Sequence, residues 1–372
     1  MKHLWVIQVV VQMVLLSGST IDAQTLFFVG TTNADETESV ALCGLDEKNE
    51  SLKIVRKFQA GKRPGYLVLN ENVLYTVSTA NQGTDQHTLR AFQVINDGQG
   101  LKLMGEVSSM GLNPCHIAVG ANGKSLYTAN YSSGSIAQYA INSNGGLGSN
   151  QYFEQFTGNS VNKKRQEGPH AHYINTTIDN KFVLTADLGT DKVMIHRIDE
   201  HGKMQTHKSQ SYIELPPGSG PRHLEFHPNN KWLYILNALN STLTSVKYEN
   251  GTFKILDTVS TLPDDFQGTS SAAAVRIHPT GKYIYSSNRG SGSISVFEID
   301  DQGKSSMVQN FGAKLGWVRD FNVTPSGRFI IAGNLRSDEV VLLKLDRKGR
   351  ILKYINSIQL SSPSCLVFYN RQ

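Results

Sequence analysis

The sequence predicts an all-β, seven-bladed β-propeller, and three observations carry that prediction. One pattern recurs seven times, with anchors at Pro64, Pro114, Pro169, Pro221, Ala273, Val318 and Pro363, a period of about 45–55 residues. The clearest copies are NPCHIAVGANGKSLYTANYSSGSIAQYAI from Asn113, GPRHLEFHPNNKWLYILNALNSTLTSVKY from Gly220 and SSAAAVRIHPTGKYIYSSNRGSGSISVFEI from Ser270. Each copy joins short alternating apolar runs by Pro-x-Gly, Asn-Gly or Gly/Ser turns, and none sustains the 3.6-residue rhythm of a helix.

The blades follow in order. Blade one begins at Leu26 with LFFVGT and continues through SVALCGLD, with no convincing opening strand of its own. Blades two to five start at Pro64, Pro114, Pro169 and Pro221, blade six near Ala273 and blade seven near Val318. The chain then ends on SPSCLVFYN, an opening strand with nothing after it. The physical resolution is that this last strand completes blade one, which removes both open sheet edges. The longest insertion, Asn150 to Gly168, is polar and is expected to be a solvated loop roofing one end of the channel.

Composition bounds the function. At 372 residues, with 39% hydrophobic and 9% aromatic content, the chain can bury a large core. The net charge of +5 is mild and scattered, which does not indicate nucleic-acid binding. Residues 1–23 read as a signal peptide: Lys2, an apolar Leu4–Leu16 stretch, then small and polar residues to a cut after Ala23. That stretch is shorter than the ~20 residues of a membrane span. Residues 24–372 are therefore expected to be a secreted, extracellular propeller, a monomer with no membrane attachment after cleavage.

Secretion gives meaning to the sequons. Asn49, Asn175, Asn240, Asn250 and Asn322 are candidate glycosylation sites, whereas Asn130 ends an inner strand and is expected to stay bare. Three cysteines leave two alternatives open: one bridge, with Cys43 and Cys365 the better pair, or three buried free thiols. No His-x-x-His, Cys-x-x-Cys, Asp-rich calcium loop or Gly-rich phosphate loop occurs, so neither metal nor cofactor is expected.

The chemistry concentrates at one register. In an antiparallel blade the first strand starts where the second ends, so these positions from seven blades meet at one channel mouth. First strands supply His116, His170, His172, Arg222, His223, Arg276, Arg319 and Asp320. Second-strand ends supply Asn130, Asp187, Asn237, Asn288, Arg289 and Asn334. Bland roles exist for several: strand-end Asn and Asp as turn formers, His116 and His223 satisfying backbone carbonyls, Arg222 and Arg319 paired with Asp187 or Asp320. The cationic cluster as a whole suits an anionic small molecule, because guanidinium forks match carboxylate and phosphate.

Pro-Cys-His at 114–116, Gly-Pro-His-Ala-His at 168–172, Gly-Pro-Arg-His at 220–223, TLPDDF at 261–266, Ser-Asn-Arg at 287–289 and Arg-Asp-Phe at 319–321 resemble the lactonase family of seven-bladed propellers. That family includes 6-phosphogluconolactonase and carboxymuconate lactonizing enzyme. The resemblance runs from about Leu26 to the C-terminus and implies hydrolysis of an anionic lactone. It implies catalytic roles for His170 or His172, Arg222, Arg289 and Arg319, and the shared register adds His116, His223, Asp187, Asn237, Asn288 and Asp320 as substrate-binding candidates. Two family carboxylates are replaced: Ala238 stands in an Asn-Glu-Leu motif, and Ala274 closes a Ser-Ala-Ala motif that is usually acidic. Lactone opening needs a base and an acid, so a histidine, oriented by Asp187 or Asp320, would have to replace them. The alternatives are a catalytically impaired propeller that binds an anion or a protein partner, or a structural matrix glycoprotein. Secretion also argues against phosphorylated sugar lactones, which are made in the cytosol.

Overall fold

A computed structural model describes residues 24–33, 37–79, 87–312 and 315–370, and the expected signal peptide lies outside the described residues. The described residues form seven antiparallel sheets, six built in chain order and one of order 363–369, 24–31, 40–46, 51–58. The exception is the closure. Pro363–Tyr369 pairs antiparallel with Gln24–Thr31 and is the innermost strand of blade one. The orphan final strand therefore fills the place that the N-terminal segment leaves empty.

The core lies between blades. Phe27, Val29 and Ala41 of blade one pack on Phe329, Ile331 and Val340 of blade seven, and each neighbouring pair repeats such a cluster. Second strands such as Leu126–Asn130 sit between an inner and an outer strand and between two blades, so all their side chains are buried. Polar pins lock neighbouring blades. The hydroxyls of Tyr75, Tyr234 and Tyr285 donate to the carbonyls of Gly145, Gly303 and Gly349, turn residues of the next blade, at 2.6, 3.0 and 2.7 Å. Gly303 must be glycine: its φ is +84°, and a Cβ would come within 2.5 Å of Trp232. His227 and His278 make the same kind of pin to Gly281 and Gly327, which removes two histidines from functional consideration.

The innermost strands position the site through a repeated irregularity. In blades three, four, five and seven the pairing slips by one residue, between Pro114 and His116, Ala171 and Tyr173, Pro221 and His223, and Val318 and Asp320. Blade one slips at the same level, opposite Ser364, and blade six slips between Ala272 and Val275. A bulge leaves one residue unpaired and re-aims its side chain. The bulged residues form a first tier around the channel: Cys115, His172, Arg222, Ala273, Arg319 and Ser364, with Gly65 at the same level of blade two. The second tier is Tyr66, His116, Tyr173, His223, Ala274, Asp320 and Cys365. Two residues further along each strand, the fourth tier is Val68, Ala118, Asn175, Glu225, Arg276, Asn322 and Val367.

Three expectations change here. Cys43 and Cys365 are not bridged, and all three cysteines are free. Their strands, Val40–Asp46 and Pro363–Tyr369, are separated by Gln24–Thr31, roughly two strand spacings of ~4.8 Å, beyond disulfide reach. The insertion also starts later, because Leu147–Gln155 is the outer strand of blade three. Asn175 and Asn322 lie on innermost strands inside the channel. The Asn322 amide donates to Leu366 and its carbonyl accepts from Arg276, which leaves no room for a glycan. Asn49, Asn240 and Asn250 are exposed, and Asn130 is buried.

Candidate functional site

Three guanidinium groups converge at the first-tier end. Arg222 and Arg319 come from bulges of adjacent-but-one blades, and Arg289 ends the second strand of blade six between them. Arg222 is 3% exposed, and its Nη1 faces the Ala273 carbonyl and, at 3.1 Å, Nε2 of His223. Arg289 reaches the Ser271 hydroxyl at 2.9 Å and the Ala272 carbonyl at 3.3 Å. None of the three makes an ion pair among the described residues. Burial, then repulsion from Arg289 and Arg319, pulls Arg222 well below the ordinary guanidinium range. Burial, then Arg319 and Arg165, brings Arg289 down to about 10. Such a cluster lacks a counter-charge, and an anion would supply one.

His172 shares this tier. The residue is 8% exposed, with a buried Nδ1 that has no partner among the described residues. Burial, then Arg222, Arg319 and Arg289, holds its pKa well below 6.5, so the imidazole is neutral at neutral pH. A neutral imidazole with a free nitrogen is equipped to accept a proton. Cys115, beside it, is no competing nucleophile, because burial pushes its thiol up to about 12.

His170 is placed differently. Its Nδ1 lies 3.0 Å from the Tyr131 carbonyl and its Nε2 3.1 Å from Glu167, while its ring stacks on Tyr131 at 4.5 Å. Both nitrogens are engaged, so His170 fixes the mouth wall. The loop that carries Glu167 is anchored by buried Gln166 on Leu188 and Asp191.

Neither carboxylate expected to orient a histidine does so. Asp187 accepts from the backbone N–H groups of His170 and Gly189 and from the Thr190 hydroxyl, as a turn former does. Asp320 pairs with Arg276 at 2.7 Å and accepts from the Leu366 N–H. Arg276 itself is a fourth-tier residue, at the opposite end from the mouth. Asn237 donates to Thr242 and Thr244, and Asn288 to the Thr261 carbonyl and Ser295. These side chains hold strand ends, as do Asn130 and Asn334. His116 and His223 lie one tier below the arginines, His116 between the rings of Tyr66 and Tyr173 at 4.0 and 4.2 Å.

The chain matches the family described as lactonase, 7-bladed beta-propeller, over residues 26–368. It belongs to that lactonase family. Among its relatives is the 6-phosphogluconolactonase of Bacillus subtilis, 29% identical over 350 residues, which cover 92% of this chain and 98% of that one. A solved putative 6-phosphogluconolactonase from Bacteroides fragilis superposes with a TM-score of 0.86 at 26% identity, covering 95% of this chain and 99% of the other. The periplasmic gluconolactonase PpgL of Pseudomonas aeruginosa shares the fold, with a TM-score of 0.87 at 24% identity over 94% of this chain and 100% of that one.

In this lactonase-family propeller Ala238 and Ala274 are fully buried. Ala238 donates its N–H to the Gly220 carbonyl, and Ala274 donates to the Ser287 hydroxyl, next to the Ala273 carbonyl that holds Arg222. Sequence reasoning missed the rim. Tyr131, one residue past the strand-end Asn130, accepts from Arg165 at 3.3 Å, and Trp317 carries Arg336 at 3.5 Å and Arg289 at 5.6 Å. Their signal was adjacency in sequence to Asn130 and Arg319. No group of three or more His, Cys, Asp or Glu among the described residues is placed to hold a metal ion.

Proposed function

We propose that this protein hydrolyses an anionic lactone at the arginine mouth, with His172 as general base. The observation that carries the reading is the trio Arg222, Arg289 and Arg319, which makes no ion pair among the described residues, around a neutral His172. His172 takes a proton from water as the water oxygen bonds to the lactone carbonyl carbon. The arginines stabilise the resulting oxyanion. The ring C–O bond then breaks, and the alkoxide leaves with the proton held by His172, giving a hydroxy acid. The names of the Bacillus and Bacteroides relatives favour a phosphorylated sugar lactone as the anion, whereas export favours an anionic lactone other than that cytosolic one, and the assay decides between them.

Lactone opening followed by pH-stat tests this reading, with 6-phosphogluconolactone and its unphosphorylated counterpart. Turnover should prefer the phosphorylated form and fall at least ~10²-fold in His172→Ala. Turnover indifferent to that change overturns His172 as the base. Buried Ala238 and Ala274, at the positions where the family resemblance implies acids, favour a second reading: an anion-binding propeller with little turnover. Tight phosphate binding without lactone opening would decide for it.

The remaining proposals concern processing. Residues 1–23 direct export, the secreted chain is monomeric, and Asn49, Asn240 and Asn250 carry any glycans. Intact mass of the secreted protein, before and after enzymatic deglycosylation, and its elution volume on sizing test all three.

A further inference from the structure

The channel ends, opposite the arginine mouth, in a cavity of about 200 Å3. Its fourth-tier rim lies three residues down the innermost strands, roughly 10 Å from Arg222 at ~3.3 Å per residue. One wall is aromatic: Tyr66, His116 and Tyr173, with the imidazole between the two phenol rings. Apolar walls come from Val68, Ala118 and Val367. Facing them are Glu225, Arg276 and Asn322.

The charges here do not cancel. Arg276 is consumed by Asp320 at 2.7 Å, the Asn322 carbonyl at 2.8 Å and the Val275 carbonyl at 2.8 Å. That pair is neutral, and the other cation that acts on Asp320, Arg222, does so more weakly than Arg276. Glu225 is left without an ion pair among the described residues. A carboxylate facing aromatic rings across a small, partly apolar cavity is the arrangement that recognises an ammonium group. A metal ion is the poorer occupant, because no cluster of three ligating side chains stands there.

We propose that this cavity is a second ligand site, separate from the lactone mouth, which takes a small organic ammonium ion: the ammonium on Glu225 beside the aromatic wall of Tyr66, His116 and Tyr173, the short body among Val68, Ala118 and Val367. Burial, the largest effect, raises Glu225 to about 7, with Arg276 opposing and Asp320 reinforcing. The site should therefore strengthen as pH rises through 7. The other groups facing Glu225 from neighbouring blades are Tyr66, His116, Tyr173 and Cys365. The two phenols and the thiol stay protonated, since burial raises all three, and His116 stays neutral, since burial lowers it.

Calorimetric titration of the whole secreted chain with n-butylammonium chloride, and with 1-butanol as the uncharged counterpart, tests this. At pH 8 the ammonium should bind saturably and at least ten-fold more tightly than butanol. Affinity should fall about ten-fold in Glu225→Gln and at pH 5.5, and should be unchanged in Arg319→Ala. Glu225→Gln must keep its melting transition and its phosphate binding at the mouth, which shows that the ring is intact. Equal affinity in Glu225→Gln, equal affinity for butanol, or no binding at pH 8 to a protein that still binds phosphate would each overturn the proposal. Failure of the lactonase reading leaves this site untouched, because its probe and its variant are both at the other end.

Discussion

Nη1 of Arg222 lies 3.1 Å from Nε2 of His223, and the contact fixes the imidazole. A guanidinium only donates, so Nε2 accepts and the ring proton sits on Nδ1, which is buried without a partner. Burial, then Arg222, holds His223 well below 6.5 for the same reason. The pair therefore keeps a neutral ring beneath a positive mouth. Removing the donor in Arg222→Ala should raise the His223 pKa, read from imidazole NMR shifts. The same variant should weaken inorganic phosphate about ten-fold or more, since a hydrogen bond to a charged group is worth roughly 1.5–3 kcal/mol. Unchanged phosphate affinity would remove the anion site.

Function and stability should oppose each other at the mouth. Arg319 repels Arg222 and Arg289, and among the described residues no carboxylate pairs with it. Arg319→Ala is therefore expected to melt no lower than wild type while binding phosphate more weakly. A fall of many degrees in the melting temperature would show that Arg319 is a structural residue.

The channel makes stability depend on pH in two opposed ways. His116, His172 and His223 have folded pKa values well below 6.5, chiefly from burial. The unfolded chain thus binds protons first, so this stability is present above 6.5 and lost as pH falls below it. Glu225 runs the other way. Its folded pKa of about 7 exceeds the unfolded 4.5, so its contribution is present below 4.5 and lost as pH rises through 7. Glu225→Gln should gain melting temperature relative to wild type as pH goes from 5 to 8. A constant difference across that range would contradict the placement of Glu225.

Closure gives the fold its own test. Deleting Ser361–Gln372 removes the innermost strand of blade one, with buried Cys365 and Leu366. It bares the edge of Gln24–Thr31, so the whole ring should lose its cooperative transition in calorimetry. An unchanged melting temperature would mean that blade one stands without its closing strand.

The blades were legible because a repeat writes each strand and turn seven times, and Gly303 or Tyr285 reads the same in several copies. The closing strand was legible because an opening strand cannot stand alone. Levels within the channel were harder to read. A bulge adds one residue to an innermost strand, so counting along the sequence put Arg276 at the mouth when it lies three positions beyond. Asp187, Asn237 and Asn288 looked like ligands because nothing in the sequence pairs these strand ends with their partners Thr190, Thr244 and Thr261. Arg222, Arg319 and His172 were found correctly as neighbours because they share the same bulge in three blades.

The last expectation concerns Ala238 and Ala274. Both are 0% exposed, and Ala274 adjoins the carbonyl that holds Arg222. A glutamate at 274 would be buried, which is costly without a partner, but Arg222 is the nearest uncompensated cation. If the two positions face the reacting lactone, Ala238→Glu with Ala274→Glu supplies a base and an acid, each worth ~10²–10⁴-fold in rate. The double variant should then open lactones faster than wild type in the pH-stat, and its added rate should survive His172→Ala. It should also bind phosphate less tightly, because the new carboxylate competes for Arg222. The single variants separate the two effects: Ala274→Glu should carry most of the loss in anion affinity, and Ala238→Glu little of it. Fast wild-type turnover that the added acids leave unchanged, and that His172→Ala abolishes, would show that histidine alone performs the chemistry in this chain.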